Sequence, residues 1–263
     1  MTSYFLRTTL IFIGALLVTS PSSYGQSGPQ TEQKTNRVIM LGVIHSKHRT
    51  SERYSLNHLE QIIRQIKPDY VITEIPPDRL GDAMAGFVRD GKVSEARVAR
   101  FPEYTDVLFP LTQDMEFKII PAAAWTQNMA DVRRQALEML AQDPTRQADW
   151  QAYEAANHKL NKSLAGRDDD PLFIHSAEYD AIVKEGLQDY QNRFRDDLGR
   201  GDWTRINQAH YTLIEAALNN HAGEGATILI TFGAGHKYWF LEQLVKRDDI
   251  ELVNPTVYLT DGG

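Results

Sequence analysis

Apolar positions along this chain follow two patterns, and the two alternate. Arg37 to Ile44 reads RVIMLGVI, almost without a polar residue, as a strand covered on both faces of a sheet must be. The next segment sets Leu56, Leu59, Ile62, Ile63 and Ile66 on one helical stripe, with Ser51 as the expected N-cap and Pro68 as the stop. DYVITEI, Asp69 to Ile75, follows at once as a second apolar strand. Strand, amphipathic helix and strand within about 35 residues make a βαβ unit, whose crossover is right-handed.

A stretch bearing prolines and aromatic residues then predicts no clear element, and EFKIIPAAA (Glu116 to Ala124) gives a third strand. Gln127 to Asn220 is polar, Ala-rich and helical in spacing. It is broken at Pro144, at GRDDDP (Gly166 to Pro171) and at GRGD (Gly199 to Asp202). ATILITFGAGH restores a buried strand, KYWFLEQLVK a helix and IELVNPTVYL a last strand. The expected fold is α/β: a mainly parallel β-sheet flanked by helices, with a helical insertion (about 127–220) over the C-terminal rim of the sheet.

The first residues belong to a different pattern. Arg7 precedes an apolar run from Thr9 to Thr19, and the small residues Ser23 and Gly25 stand where a cut before Gln26 needs them. The run is shorter than the ~20 residues of a spanning helix. A signal peptide at 1–25, a polar linker at 26–36 and one domain at 37–263 are therefore expected. The product would be exported, periplasmic or secreted, with no stable membrane insertion after cleavage; an uncleaved segment would act as an anchor.

Composition narrows the function. With 42% hydrophobic and 24% charged residues in 263 positions, the chain can bury a core. A formal charge of −7 gives no polyanion-binding face, so nucleic acid is not an expected partner. There is no cysteine, which excludes disulfides and thiolate metal sites; any metal must be held by His, Asp or Glu. Nothing in the pattern sets an oligomeric state.

Both flanking apolar strands end in the same way, GVIH (Gly42 to His45) and GAGH (Gly233 to His236). With 17 glycines and 8 histidines in the chain, chance supplies about half a Gly-x-x-His, so one match says little. Two matches, each ending an apolar strand, with Glu74 ending the strand between them, say more. In an open parallel sheet ligands bind where strand C-termini converge, so His45, Glu74 and His236 share one expected rim. Gly42, Gly233 and Gly235 are expected to permit tight backbone turns there. Two imidazoles and a carboxylate form a sound ligand set for a divalent ion, zinc or manganese, with a position left for water.

GVIHSKHRTSERYSLNHLEQIIRQIKPDYVITEIPPDRL and GAGHKYWFLEQL resemble the opening and closing segments of the TraB/GumN/Tiki superfamily, and more distantly ChaN-like lipoproteins and erythromycin esterases. The resemblance implies metal-dependent peptide hydrolysis by the paired histidines and the glutamate, and it matches the family's arginine with Arg79. The family's Arg-Asn pair is interrupted here, in WTRINQ, by Ile206. The leading expectation is an exported metal-dependent hydrolase acting on a peptide or a small-molecule ester, with His45, Glu74, Arg79 and His236 as its site. Two alternatives stay open: a metal-free esterase with a histidine general base, or a non-catalytic binder of metal, haem or peptide. Among the other candidates, His210 reads as a core histidine, His48 and the RDDDP run as solvated loop, and Trp125, Trp203 and Trp239 as packing.

Overall fold

Near-continuous apolar runs have only one low-energy place in an α/β protein, the middle of a sheet with helices on both faces. The computed structural model describes residues 34–259, all within one compact unit; the expected signal peptide 1–25, with most of the linker, lies outside the described residues. Five strands are formed: β1 (Asn36–Val43), β2 (Tyr70–Thr73), β3 (Lys118–Pro121), β4 (Thr227–Gly233) and β5 (Ile250–Val253). They lie in the order β3-β2-β4-β1-β5, and every neighbouring pair is parallel. The expected α/β architecture is borne out.

Ten α-helices accompany the strands among the described residues: α1 (Leu56–Ile66), α2 (Pro77–Asp90), α3 (Phe109–Leu111), α4 (Gln127–Gln142), α5 (Gln147–Leu164), α6 (Pro171–Ile174), α7 (Ala177–Gly186), α8 (Gln188–Phe194), α9 (Trp203–Asn220) and α10 (Lys237–Leu244). Alternate residues of β1 serve opposite faces. Ile39, Leu41 and Val43 pack with Leu59, Ile62, Ile63 and Ile66 of α1. Val38 and Met40 pack with Tyr211, Ile214 and Leu218 of α9 and Phe240 and Leu244 of α10. Each buried aliphatic or aromatic side chain contributes about 1.5–3 kcal/mol against exposure, so the crossovers are fixed mainly by these stripes.

Several local readings need correction. The hydroxyl that caps α1 is that of Ser55, which accepts from His58 N. Ser51 instead accepts from Tyr54 N and donates to Asp169. α2 begins at Pro77 and buries only Ala83, Gly86 and Phe87, too narrow a stripe to stand out in the sequence. β5 is short because Asn254 caps a following 3₁₀ turn, Pro255–Tyr258, through its side chain.

The helical insertion, 127–220, is not uniform. α9 lies on the sheet and belongs to its core. Phe173, Ile174, Tyr179 and Val183 join the opposite core. Leu140, Tyr190, Phe194 and Leu198 form a small separate cluster, and α5 buries no residue along its 18 positions. No helix among the described residues is long and apolar enough to cross a membrane.

Candidate functional site

The sheet order fixes where a site can form. β1 and β4 are neighbours, yet the chain leaves β1 toward β2 over one face and leaves β4 toward β5 over the other. That divergence is the topological switch point at which open α/β sheets bind ligands. In register, Val43 lies opposite Gly233 and Thr73 opposite Thr231, so the residues that follow these strand ends emerge on one rim. They are His45, Glu74 and His236.

Glu74 is buried and central. Its Oε2 accepts the Gly233 N–H at 2.8 Å and lies 3.8 Å from His45 Nε2. Its Oε1 lies 3.9 Å from His236 Nε2. Burial pushes this carboxyl above its ordinary pKa; the His45 charge and the Gly233 N–H oppose the shift, and Glu103 adds to it.

Both imidazoles turn Nε2 toward Glu74 because their Nδ1 atoms are engaged elsewhere. His45 Nδ1 is 2.6 Å from Glu103 Oε1. His236 Nδ1 is 2.7 Å from Asn207 Oδ1. The Asn207 amide is oriented by donating its own N–H to the Trp203 carbonyl, so its oxygen is left to accept and His236 must donate from Nδ1. The His236 Nε2 lone pair is thereby free. Burial alone would lower His45, but the Glu103 hydrogen bond and the charges of Glu74 and Glu103 outweigh it and raise its pKa. Burial, helped by His210 and His45, holds His236 well below the ordinary imidazole value.

Backbone geometry makes these contacts possible. His45 has a left-handed φ of 49°, a conformation that costs a residue other than glycine about 1–3 kcal/mol. The turn is held by Ile44 N–H donating to His48 Nε2 and by His48 Nδ1 donating to the Tyr54 carbonyl. His48 is therefore a buried brace and not the solvated loop residue expected. None of the three motif glycines has a positive φ. Gly233 matters for another reason: a Cβ there would lie 2.5 Å from His45 Nε2.

No family model, no curated protein and no solved structure matches the chain.

The donor chemistry fits a divalent ion. Two imidazoles are each anchored through Nδ1 by a neighbouring oxygen and present Nε2, the usual support of metal-binding histidines. Among the described residues no three such side chains are already drawn into a cation cage. The 3.8 and 3.9 Å separations are slightly wider than the about 3.3 Å between donors of a tetrahedral ion with bonds of about 2.0–2.1 Å.

Arg79 does not join this cluster; its ion pairs run to Asp78 and Glu95, and none runs to Glu74. His210 is a core residue whose Nδ1 accepts from Ala124 N–H, and its ring stands edge-on to His236 at 5.4 Å. Trp203 stacks on His236 at 4.5 Å, and Phe101 packs on His45 at 5.0 Å. The RDDDP run is paired and not merely solvated: Asp168 meets Lys47, Asp169 meets Arg53 and Ser51, and Asp170 caps α6. Glu103 and Asn207 are the site neighbours that sequence reasoning missed. Asn207 carried a signal in the WTRINQ segment; Glu103 carried none. A cavity of about 550 Å³ between α5 and α7, lined by Ala152, Leu160 and Ile182, contains none of these groups.

Proposed function

We propose that the chain is a hydrolase of the kind the TraB/GumN/Tiki resemblance implies, exported by its N-terminal segment and acting on a peptide or small ester. The observation that carries this reading is the convergence of two imidazoles, each anchored through Nδ1, on one buried carboxylate at the switch point of a parallel sheet. His45 Nε2, His236 Nε2 and Glu74 would hold a divalent ion, zinc or manganese. When bound, such an ion polarises a carbonyl and lowers the pKa of water toward neutrality. The lowered His236 stays neutral and keeps its lone pair at physiological pH. As a ligand Glu74 must be ionised, so its raised carboxyl makes ion binding weaken as pH falls. Gly233 N–H keeps Oε2 oriented, which leaves Oε1 for the ion. Trp203 shields the His236 ring from bulk water, and Phe101 packs on the partly exposed His45 ring.

A second reading has its own support. The Glu103–His45 pair at 2.6 Å is the carboxylate–imidazole arrangement of a general base, and it would activate water without an ion. Calorimetric titration of zinc and manganese into chelator-treated protein separates the two. Under the metal reading, wild type binds one ion and His236→Ala binds none, and turnover on a peptide and ester panel follows the bound ion. Equal binding by both proteins would remove the ligand set. Ion-independent turnover would favour the general base, and the absence of both binding and turnover would defeat both readings.

A further inference from the structure

We infer that Glu103 is a positioning residue for His45, holding it as the Nδ1–H tautomer so that its Nε2 lone pair faces Glu74. Glu103 is only 2% exposed, and His45 is its sole ion-pair partner among the described residues. Its Oε2 is buried with no hydrogen-bond partner. A buried carboxylate with one oxygen unsatisfied costs stability, and packing would be served better by an apolar side chain. What the carboxylate adds is a directional acceptor for one N–H.

The backbone carrying it is also unusual. Glu103–Leu108 is a π-helical turn, a form rare in proteins and concentrated at functional sites. It sets two consecutive side chains against three strand ends. Glu103 reaches His45, the second residue beyond β1. The Tyr104 hydroxyl accepts from Glu74 N–H beyond β2 and donates to the Thr231 carbonyl in β4, each at 2.9 Å. Phe101, two residues earlier, packs on the His45 ring. The segment is a clip across the rim, and Glu103 is its polar contact with the one strained residue there. Without that acceptor nothing in the surroundings requires the proton on Nδ1, and a proton on Nε2 would remove the lone pair that faces Glu74.

The inference rests on reading His45 as a site residue, and its test has one arm independent of metal. In chelator-treated full-length chain labelled with ¹⁵N-histidine, long-range ¹H–¹⁵N correlation spectra report the tautomer of each ring, with His45→Gln identifying the signal. Wild type should show His45 as Nδ1–H. Glu103→Gln, whose amide oxygen still accepts, should keep that tautomer and bind zinc within about threefold of wild type. Glu103→Leu should move the proton to Nε2 and weaken zinc binding 10- to 100-fold, as loss of a ligand's supporting partner does. A merely structural Glu103 would change thermal stability and leave the tautomer alone. Wild-type His45 found as Nε2–H overturns the inference without any variant, and so does an unchanged tautomer in folded Glu103→Leu. If wild type binds no zinc, the metal reading fails and the tautomer arm alone decides this one.

Discussion

The two Gly-x-x-His strand ends share a sequence pattern and differ in nearly every physical respect. His45 turns through a left-handed backbone conformation, φ 49°, while His236 sits in ordinary right-handed geometry, φ −81°. His45 donates to a carboxylate and has a side chain 34% exposed; His236 donates to a neutral amide, is stacked on Trp203, and is 12% exposed. One imidazole is raised and the other lowered. A repeated motif therefore need not mean repeated roles. His236 is built as a neutral, rigid donor, whereas His45 is the more basic and accessible of the two, held against strain by its neighbours.

The glycines of the two motifs differ in the same sense, and exchanging them for alanine gives the largest expected effect. At Gly233 a Cβ would meet His45 Nε2 at 2.5 Å, so the ring must leave its place. At Gly42 the nearest atoms are Ala234 Cα and Cβ at 3.1 Å, a tight contact with no candidate ligand atom. A displacement of about 1 Å at a reacting group can cost on the order of 100-fold. Gly233→Ala should therefore lower zinc affinity and turnover by about 100-fold or more. Gly42→Ala should lose about 1–3 kcal/mol of stability, the ordinary consequence of overpacking, while zinc affinity stays within about threefold. Calorimetry and urea unfolding read the two effects separately. A Gly42 variant that loses more zinc affinity than the Gly233 variant would reverse the ranking of the two ends.

How each end is held also predicts an acid sensitivity. The β1 end is tied to α6: Gly42 N–H donates to His175 Nε2 at 2.9 Å, and His175 Nδ1 donates to the Pro171 carbonyl at 2.7 Å. His175 must be neutral to accept. Burial lowers its pKa to about 3, against a partial rise from the Pro171 hydrogen bond, and Lys237 lowers it further. Because the folded value lies below the unfolded one near 6.5, the contribution is complete above about pH 6.5 and is lost as pH falls toward 3, at up to about 1.4 kcal/mol per pH unit. Between pH 6.5 and 5, wild type should lose up to about 2 kcal/mol more stability than His175→Gln. Equal acid slopes for the two proteins would show that His175 takes up its proton without unfolding the β1 end.

The difference between the ends also explains which parts of the molecule were legible in sequence. The apolar runs of β1 and β4, buried on both faces, produce an unbroken local signal, and Glu74 is marked by its place at the end of another such run. The sheet, its parallel sense and the shared rim could all be read from that. Glu103 could not, because its partner is 58 residues away and its own neighbourhood is a proline- and aromatic-bearing turn without strand or helix period. His175 was hidden likewise, since its contact with Gly42 spans 133 residues. His48 was misread because its flanking Lys47 and Arg49 are partly exposed and charged while it alone turns inward. Local pattern reports burial along an element; it says little about which distant side chain completes a hydrogen bond.

Arg79 offers the smallest expected effect and the sharpest check on the resemblance that introduced it. By that resemblance it belongs beside the glutamate. In the structure it pairs with Asp78 and Glu95, and its side chain is 37% exposed. Pairs of that kind are worth about 0–1 kcal/mol, and neither of them reaches Glu74, whose carboxylate is met by Gly233 and, more distantly, by the two imidazoles. Arg79→Ala should leave zinc affinity within about twofold and turnover within about threefold of wild type, and urea unfolding should show a loss below about 1 kcal/mol. A fall in kcat of more than tenfold, with zinc affinity unchanged, would mean that substrate binding brings the guanidinium to the reacting groups. Arg79 would then share the rim with His45, the exposed and basic end of the site, and the contrast between the two strand ends would widen to include which of them receives the substrate.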